Sequence, residues 1–275
     1  MGRVSRSLHG RLHPDLARKV RWRLRHERLA WMVTCADMWA VKSWAAQRGV
    51  SIAPSITVAS RVDDLPWQQL PRRCILKASH SWSWNLLHWD GLWYRFSDGD
   101  AFTNNADGSL DPSKASHCLL TTAEVKSIAA TWLASVYSKR EWAYTQIPPR
   151  LLLEEILQPA RAGPLFVIRF FAMHSVVRAI GVGSPLYRRD NAMVFMDSYW
   201  RPLLVCSAPR IDDGSSGAPR RRAFVCPLRL IRHSDLPLLG EVTVSLHGGL
   251  INPSEDPAFN RWLADPWHLI PWSRR

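Results

Sequence analysis

Apolar residues follow a helical rhythm before residue 50 and a strand rhythm after residue 70. Residues 12–49 predict helices. Leu16, Val20, Leu24 and Leu29 fall on one stripe, and 37–48 carries Trp39, Val41, Trp44 and Ala45 on an apolar face, with Gly49 at a C-cap position. A short strand and loop follow over 51–60, then a proline-bounded turn over 64–71. Cys74, Ile75 and Leu76 form an apolar run that ends at Lys77, a buried-strand pattern. Residues 86–96 alternate, with Asp90-Gly91 as a hairpin turn, and 98–117 is a polar loop. A helix is expected over 122–137, with Thr121 or Thr122 as N-cap and Glu124 in its first turn. Strands are expected over 150–157, 164–173 and 176–182, the last two joined by His174-Ser175. Another begins at Val194-Phe195; 207–222 is loop, 223–231 is apolar with interruptions, and 236–246 is a strand centred on Gly240 to Thr243. Helices first and strands afterwards make the fold class α+β.

At 275 residues and 47% hydrophobic, the chain can build one large domain or two lobes with a real core. Fifteen Trp residues point mainly to packing, though Trp also stacks on rings and sugars. Five scattered cysteines without a C-x-x-C pair argue against a disulfide framework or zinc site and suit a reducing cytoplasm. No apolar stretch approaches the roughly 20 residues of a membrane helix. The N-terminus has no apolar core of a signal peptide, so none is expected.

The net charge is +13, and residues 1–28 hold eight Arg and one Lys against Asp15 and Glu27. A basic amphipathic helix suits an anionic membrane face, an acidic polymer or nucleic acid, or is simply a solvated helix. No nucleic-acid-binding motif accompanies it, which places nucleic acid last among the partners. The expected location is the cytoplasm, with peripheral contact to the inner membrane face through residues 1–28.

Charges inside apolar strands carry the chemistry: Lys77, the pair Glu154/Glu155, Arg169 and Glu241. Buried charges require partners or metals. The loop after Lys77 adds hydroxyls, the His80 imidazole, the Asn85 amide and backbone N–H groups, the equipment of a phosphate site. Two cations with acids in one cleft suit a nucleoside triphosphate with Mg²⁺. The plainer alternative puts each charge on the wet face of a half-buried strand. Of the adjacent Glu154 and Glu155, one must point away from the core, since neighbours in a strand face opposite ways. Walker, Rossmann, zincin and G-x-S-x-G motifs are absent.

These segments resemble the TupA-like ATP-grasp proteins of bacterial cell-surface polysaccharide biosynthesis. Residues 37–42 resemble the family's early D-K-x-x-V-R, and 70–85 its L-P-x-x-F-V-L-K-x-x-H-x-S-x-x-N. Residues 140–144 and 149–155 resemble R-E-W-x-Y and P-R-I-x-x-E-E, and 168–175 resembles Y-K-F-F-C-F-N-G. Residues 195–200 resemble F-Y-D-x-x-W, and 240–243 resemble G-E-x-T, followed by Gly248-Gly249. The similarity runs over roughly residues 35–265. It implies two α+β lobes, 61–158 and 159–275, with mixed or antiparallel sheets clamping a nucleotide behind a basic helical segment, 1–60. It implies an ATP- and Mg²⁺-dependent carboxylate–amine ligase acting on a small-molecule or glycan substrate. In that picture Lys77 and Arg169 meet the phosphates and act in catalysis. His80, Asn85, Glu154 and Glu155 line the nucleotide, and Glu241 holds Mg²⁺. The family's acidic metal ligand before G-E-x-T is missing, since 224–232 contains Arg229 and no Asp. Asp197 or Asp235 would have to replace it, or the domain binds nucleotide or an acidic glycan without turnover.

Overall fold

Alternation of apolar and polar residues builds two six-stranded antiparallel sheets in the computed structural model, which describes residues 16–95, 119–157, 167–173, 176–183, 193–207, 228–233, 236–241 and 257–265. The first sheet contains β1 (Ser55–Ala59), β2 (Arg73–Ala78), β3 (Asn85–Trp89), β4 (Leu92–Arg95), β5 (Leu119–Leu120) and β6 (Leu151–Glu155), in the order β1-β6-β2-β3-β4-β5. The second contains β7 (Val167–Met173), β8 (Val176–Gly183), β9 (Met193–Met196), β10 (Pro202–Ser207), β11 (Leu228–His233) and β12 (Leu236–Glu241), in the order β10-β9-β8-β7-β11-β12. The helices are α1 (Leu16–His26), α2 (Ala30–Ala36), α3 (Met38–Ala46), α4 (Thr122–Leu133), α5 (Trp142–Thr145) and α6 (Pro257–Ala264). The expected α+β class is the one observed.

Local chemistry sets the boundaries. Asp90 and Gly91 take φ 51° and 87°, the positive pair that a two-residue hairpin between right-twisted strands requires. Thr121 and Glu124 close a reciprocal capping box on α4. This helix stops at Leu133 rather than 137, and just beyond it the Ser135 hydroxyl turns back to the Thr131 carbonyl. The helical stretch 12–49 divides at Asp37, whose carboxylate accepts from the Trp39 N–H and starts α3. On α3 the buried positions are Val41, Lys42 and Ala45; Trp44 is exposed beneath the Arg48 guanidinium, contrary to the expected apolar face. The pattern gave no separate strand over 202–207. There β10 forms the sheet edge and begins at Pro202, where a missing N–H is tolerated.

Each sheet has its own core. Leu16 and Val20 of α1 pack with Phe171, Met173, Ala179 and Phe195 of the second sheet and with Phe259 and Leu263 of α6. Lys19 reaches across to donate to the Ala264 carbonyl at the end of α6 (2.7 Å), a cation on a helix C-terminus. The apolar stripe of the basic N-terminal helix therefore faces its own sheet and is not available to lipid. No helix among the described residues is long and apolar enough to cross a membrane. In the first sheet, Cys74, Leu76, Ala78, Leu151 and Leu153 pack under Val125, Ala129 and Trp132 of α4. The alternate positions on β2 and β6 face away from that core, and this second face carries the polar chemistry. The two sheets are linked where Ile52 forms a parallel bridge to Leu239, with the Leu239 N–H donating to the Ser51 carbonyl (2.8 Å).

Candidate functional site

Lys77 stands opposite Leu152, and Ile75 stands opposite Glu154, so Lys77 and Glu154 are diagonal neighbours on one face of the first sheet. Lys77 Nζ donates to Glu154 Oε2 at 2.8 Å. From above, α3 delivers Lys42, whose Nζ pairs with Glu154 Oε1 and donates to the Ala53 carbonyl (2.8 Å) and Ser55 Oγ (3.1 Å). One buried carboxylate thus holds two ammonium groups. The Lys42 and Glu154 side chains are 7% and 5% exposed, whereas Lys77 is 26% exposed and forms the wet end of the triad. The stoichiometry leaves these three groups with an excess positive charge, directed to the side where Lys77 meets solvent.

The electrostatics follow from burial and pairing. Burial pushes the Glu154 carboxyl up, but Lys77 and Lys42, by charge and by hydrogen bond, together hold it below the usual carboxylate value. Burial lowers Lys42 and, with a smaller push from Lys77, outweighs the raising effect of Glu154. Because the folded carboxyl titrates below 4.5, the unfolded chain binds more protons in that window. The stability contributed by Glu154 is therefore complete above 4.5 and is lost as pH falls through the lower folded value. Urea midpoints of the parent and of Glu154→Gln should converge as pH falls below about 4.5. A gap that stays constant between neutral pH and pH 3 would sink this assignment.

The loop after Lys77 is fastened from several sides. The Ser79 N–H donates to the Arg150 carbonyl (2.9 Å), and the Ser79 carbonyl accepts from the Met38 N–H (3.0 Å). Arg150 in turn pairs with the buried Asp37 (3.3 Å). Burial raises the Asp37 carboxyl, against the lowering effects of the Trp39 and Ala40 N–H groups and of Arg150. The Ser81 N–H donates to Ala78, and the Trp84 N–H to Ser81 Oγ. Trp84 stacks on Trp132 and meets Tyr137 and His80 edge-on. The N–H groups of 79, 81 and 84 are thus engaged within the protein.

The expected site residues divide accordingly. Lys77, Glu154 and Asn85 come together, since Asn85 is the direct cross-strand partner of Lys77. His80 does not join them. It is 1% exposed and its Nε2 donates to the Trp132 carbonyl (2.9 Å), so it braces the loop from inside. Glu155 is exposed and belongs to the opposite face of β6. Arg169 is buried in the middle of β7. Asp197 accepts from the Tyr199 and Arg201 N–H groups (2.8 and 2.9 Å) and closes the β9–β10 turn, in which Trp200 takes φ 64°. Glu241 ends β12, in register with Arg229, and Arg229 is in register with Arg169. Asp235 lies outside the described residues. Lys42, absent from the expected site, is its third member; a lysine inside the apolar run Trp39 to Ala46 was the available signal.

Mg²⁺ requires several oxygen donors in near-octahedral array. Among the described residues no three His, Cys, Asp or Glu side chains gather into such a set. Glu154 is committed to two lysines and Asp197 to its turn. Among the described residues, the acids that the motif resemblance assigns to Mg²⁺ are not gathered into one donor set.

No family model matches the chain, and no curated protein matches it. Among solved structures it is similar to an L-amino acid ligase from Bacillus licheniformis at 13% identity and TM-score 0.39, covering 86% of this chain and 50% of that one. It is also similar to the D-alanine–D-alanine ligase of Helicobacter pylori (9% identity, TM-score 0.37, 86% and 62% covered). A third is D-alanyl-alanine synthetase A of Vibrio cholerae (8% identity, TM-score 0.34, 85% and 64% covered). The chain spans between half and just under two thirds of the length of these proteins.

Proposed function

We propose that this chain is an ATP-grasp-type ligase that joins a carboxylate to an amine, and that Lys77 holds the phosphates of its ATP. The observation that carries this reading is the buried Lys42–Glu154–Lys77 triad, whose two ammonium groups share one carboxylate and whose solvent-facing member is Lys77. A lysine fixed in that way is a preorganised phosphate partner: its position needs no reordering when the anion arrives. The order of motifs along the chain also supports it. In the proposed reaction a carboxylate oxygen attacks the γ-phosphorus and the bond to the bridging oxygen of ADP breaks. The amine then attacks the acyl carbon of the acylphosphate, and inorganic phosphate leaves. Lys77 stabilises the charge on the transferred group through both states.

We place this ligation in cytoplasmic assembly of cell-surface polysaccharide, with a small molecule or glycan as acceptor. Any contact with an anionic membrane would use exposed basic residues such as Arg18 and Arg25, since the apolar stripe of α1 is buried. A second reading, nucleotide binding without turnover, is favoured by Arg229 standing across from Glu241. Incubation of the protein with ATP and a panel of carboxylates and amines distinguishes the two. Ligation predicts ADP and phosphate only when both partners are present; ATP binding with no ADP from any pair selects the second reading. Failure to bind ATP at all would remove both.

A further inference from the structure

One end of the second sheet collects exposed apolar side chains beside arginines. Ile180 on β8 stands opposite Met196 on β9, so the turn after Met196 lies at the end of the sheet where β8 begins with Val176. Val176 is 57% exposed, and in the turn Tyr199 and Trp200 are 76% and 48% exposed. Further along β8, the Arg178 guanidinium lies 4.8 Å from the ring of Trp262 on α6, itself an exposed Trp. The exposed Arg201 lies 5.4 Å from the Tyr199 ring. The turn is built at a cost. The Trp200 N–H donates to the Asp197 carbonyl and the Asp197 N–H to the Arg201 carbonyl, which makes a hairpin loop that ends on a left-handed residue. Glycine is the usual occupant of that position, and here it is Trp200 at φ 64°. The other non-glycine positive φ among the described residues belongs to Asp90, a residue type that tolerates it; a bulky ring is an outlier. Trp200 recovers part of the cost in an edge-on contact with Phe170 (6.3 Å), yet nearly half of it stays in water. A strained backbone that holds an aromatic ring out to solvent points to a contact made outside the chain.

We propose that this end of the second sheet, led by the Tyr199–Trp200–Arg201 turn, docks on the surface of an anionic phospholipid membrane. Trp and Tyr favour the boundary between acyl chains and water, because the ring is apolar and its N–H or O–H is not. Arg178 and Arg201 stand at the same end and complement anionic headgroups, while the Asp197 carboxylate accepts from the Tyr199 and Arg201 N–H groups of its own turn. The patch suits lipid better than a glycan: Val176 adds an aliphatic side chain, and the Tyr199 ring already carries Arg201. The arginines of α1 attract the same headgroups, but the apolar stripe of α1 is buried, whereas this end has apolar side chains to insert. The proposal does not depend on the nucleotide reading.

Co-sedimentation of the full chain with vesicles tests it, using phosphatidylcholine alone and phosphatidylcholine mixed with phosphatidylglycerol, each at low and high salt. The proteins are the parent, Trp200→Gly, Tyr199→Ser and the double variant Arg18→Gln, Arg25→Gln. The parent is expected to bind the mixed vesicles, more weakly at high salt, and to leave phosphatidylcholine largely unbound. Trp200→Gly is expected to bind about tenfold or more weakly, the worth of one large apolar side chain, while melting close to the parent because glycine fits the left-handed position. Tyr199→Ser, at a side chain mostly in water, should also bind more weakly and carries the test if the glycine variant does not fold. Vesicle binding that is equal in the parent and in both folded turn variants overturns the proposal, and its loss in the Arg18, Arg25 variant then assigns binding to α1. No binding to mixed vesicles overturns it too. Retention on alginate that is lost in the turn variants, with no vesicle binding, overturns it in favour of an acidic glycan. ATP binding measured on the same proteins reports on the ligase reading separately.

Discussion

Glu154→Ala is expected to destabilise the fold by about 3–5 kcal/mol, the range for removing one partner from a buried ion pair. Two ammonium groups depend on this carboxylate, and Lys42 retains only 7% of its side-chain exposure. Without Glu154, Lys42 keeps the Ala53 carbonyl and Ser55 hydroxyl, which are dipoles and not a counter-charge. Its desolvation is then uncompensated and it faces Lys77 across an emptied position. The loss should appear as a lower urea midpoint with an unchanged slope. Replacing both members of the buried pair, Lys42→Met with Glu154→Met, should recover most of the loss, because an apolar pair of similar size needs no counter-charge. A change below about 1 kcal/mol in Glu154→Ala, within the range of ordinary surface substitutions, would mean that the carboxylate is not the anchor described.

The parts of this site that were legible in the sequence are those written in local pattern. Lys77 stands out because it closes an apolar run, and the β3–β4 hairpin because Asp90-Gly91 supplies both positive φ angles. Between Glu154 and Glu155 the alternation says only that they face opposite ways. The pairing of Ile75 with Glu154 decides which one shares a face with Lys77. Lys42 was hidden for a different reason. A helix stripe chosen by hydrophobicity selects Trp44 and passes over a lysine whose ammonium is buried by a carboxylate more than a hundred residues away. The Arg169–Arg229–Glu241 row was illegible because it exists only through β11 lying between β7 and β12, a long-range arrangement. The inward setting of His80 was not legible, because the sequence shows a polar loop, whereas Trp84 stacks on Trp132 and the His80 ring bonds the Trp132 carbonyl.

Lys77→Ala is expected to separate binding from folding. The substitution leaves Glu154 with Lys42, a one-to-one buried pair that still has the Ala53 and Ser55 acceptors beside it. Stability should fall by about 1–3 kcal/mol, less than for Glu154→Ala, because Lys42 still neutralises Glu154 while its Oε2 loses the Lys77 donor. The phosphate site, in contrast, loses its fixed ammonium. Hydrogen bonds to charged groups contribute about 1.5–3 kcal/mol each, so affinity for ATP should fall by roughly tenfold to a hundredfold.

The most direct test of Lys77 as the phosphate-holding residue is a calorimetric titration of ATP into the parent and into Lys77→Ala, beside a thermal melt of each. The account predicts measurable ATP binding by the parent, an affinity at least about tenfold weaker in the variant, and a variant that is still folded at the temperature of the titration. Equal affinity in two equally folded proteins would contradict it.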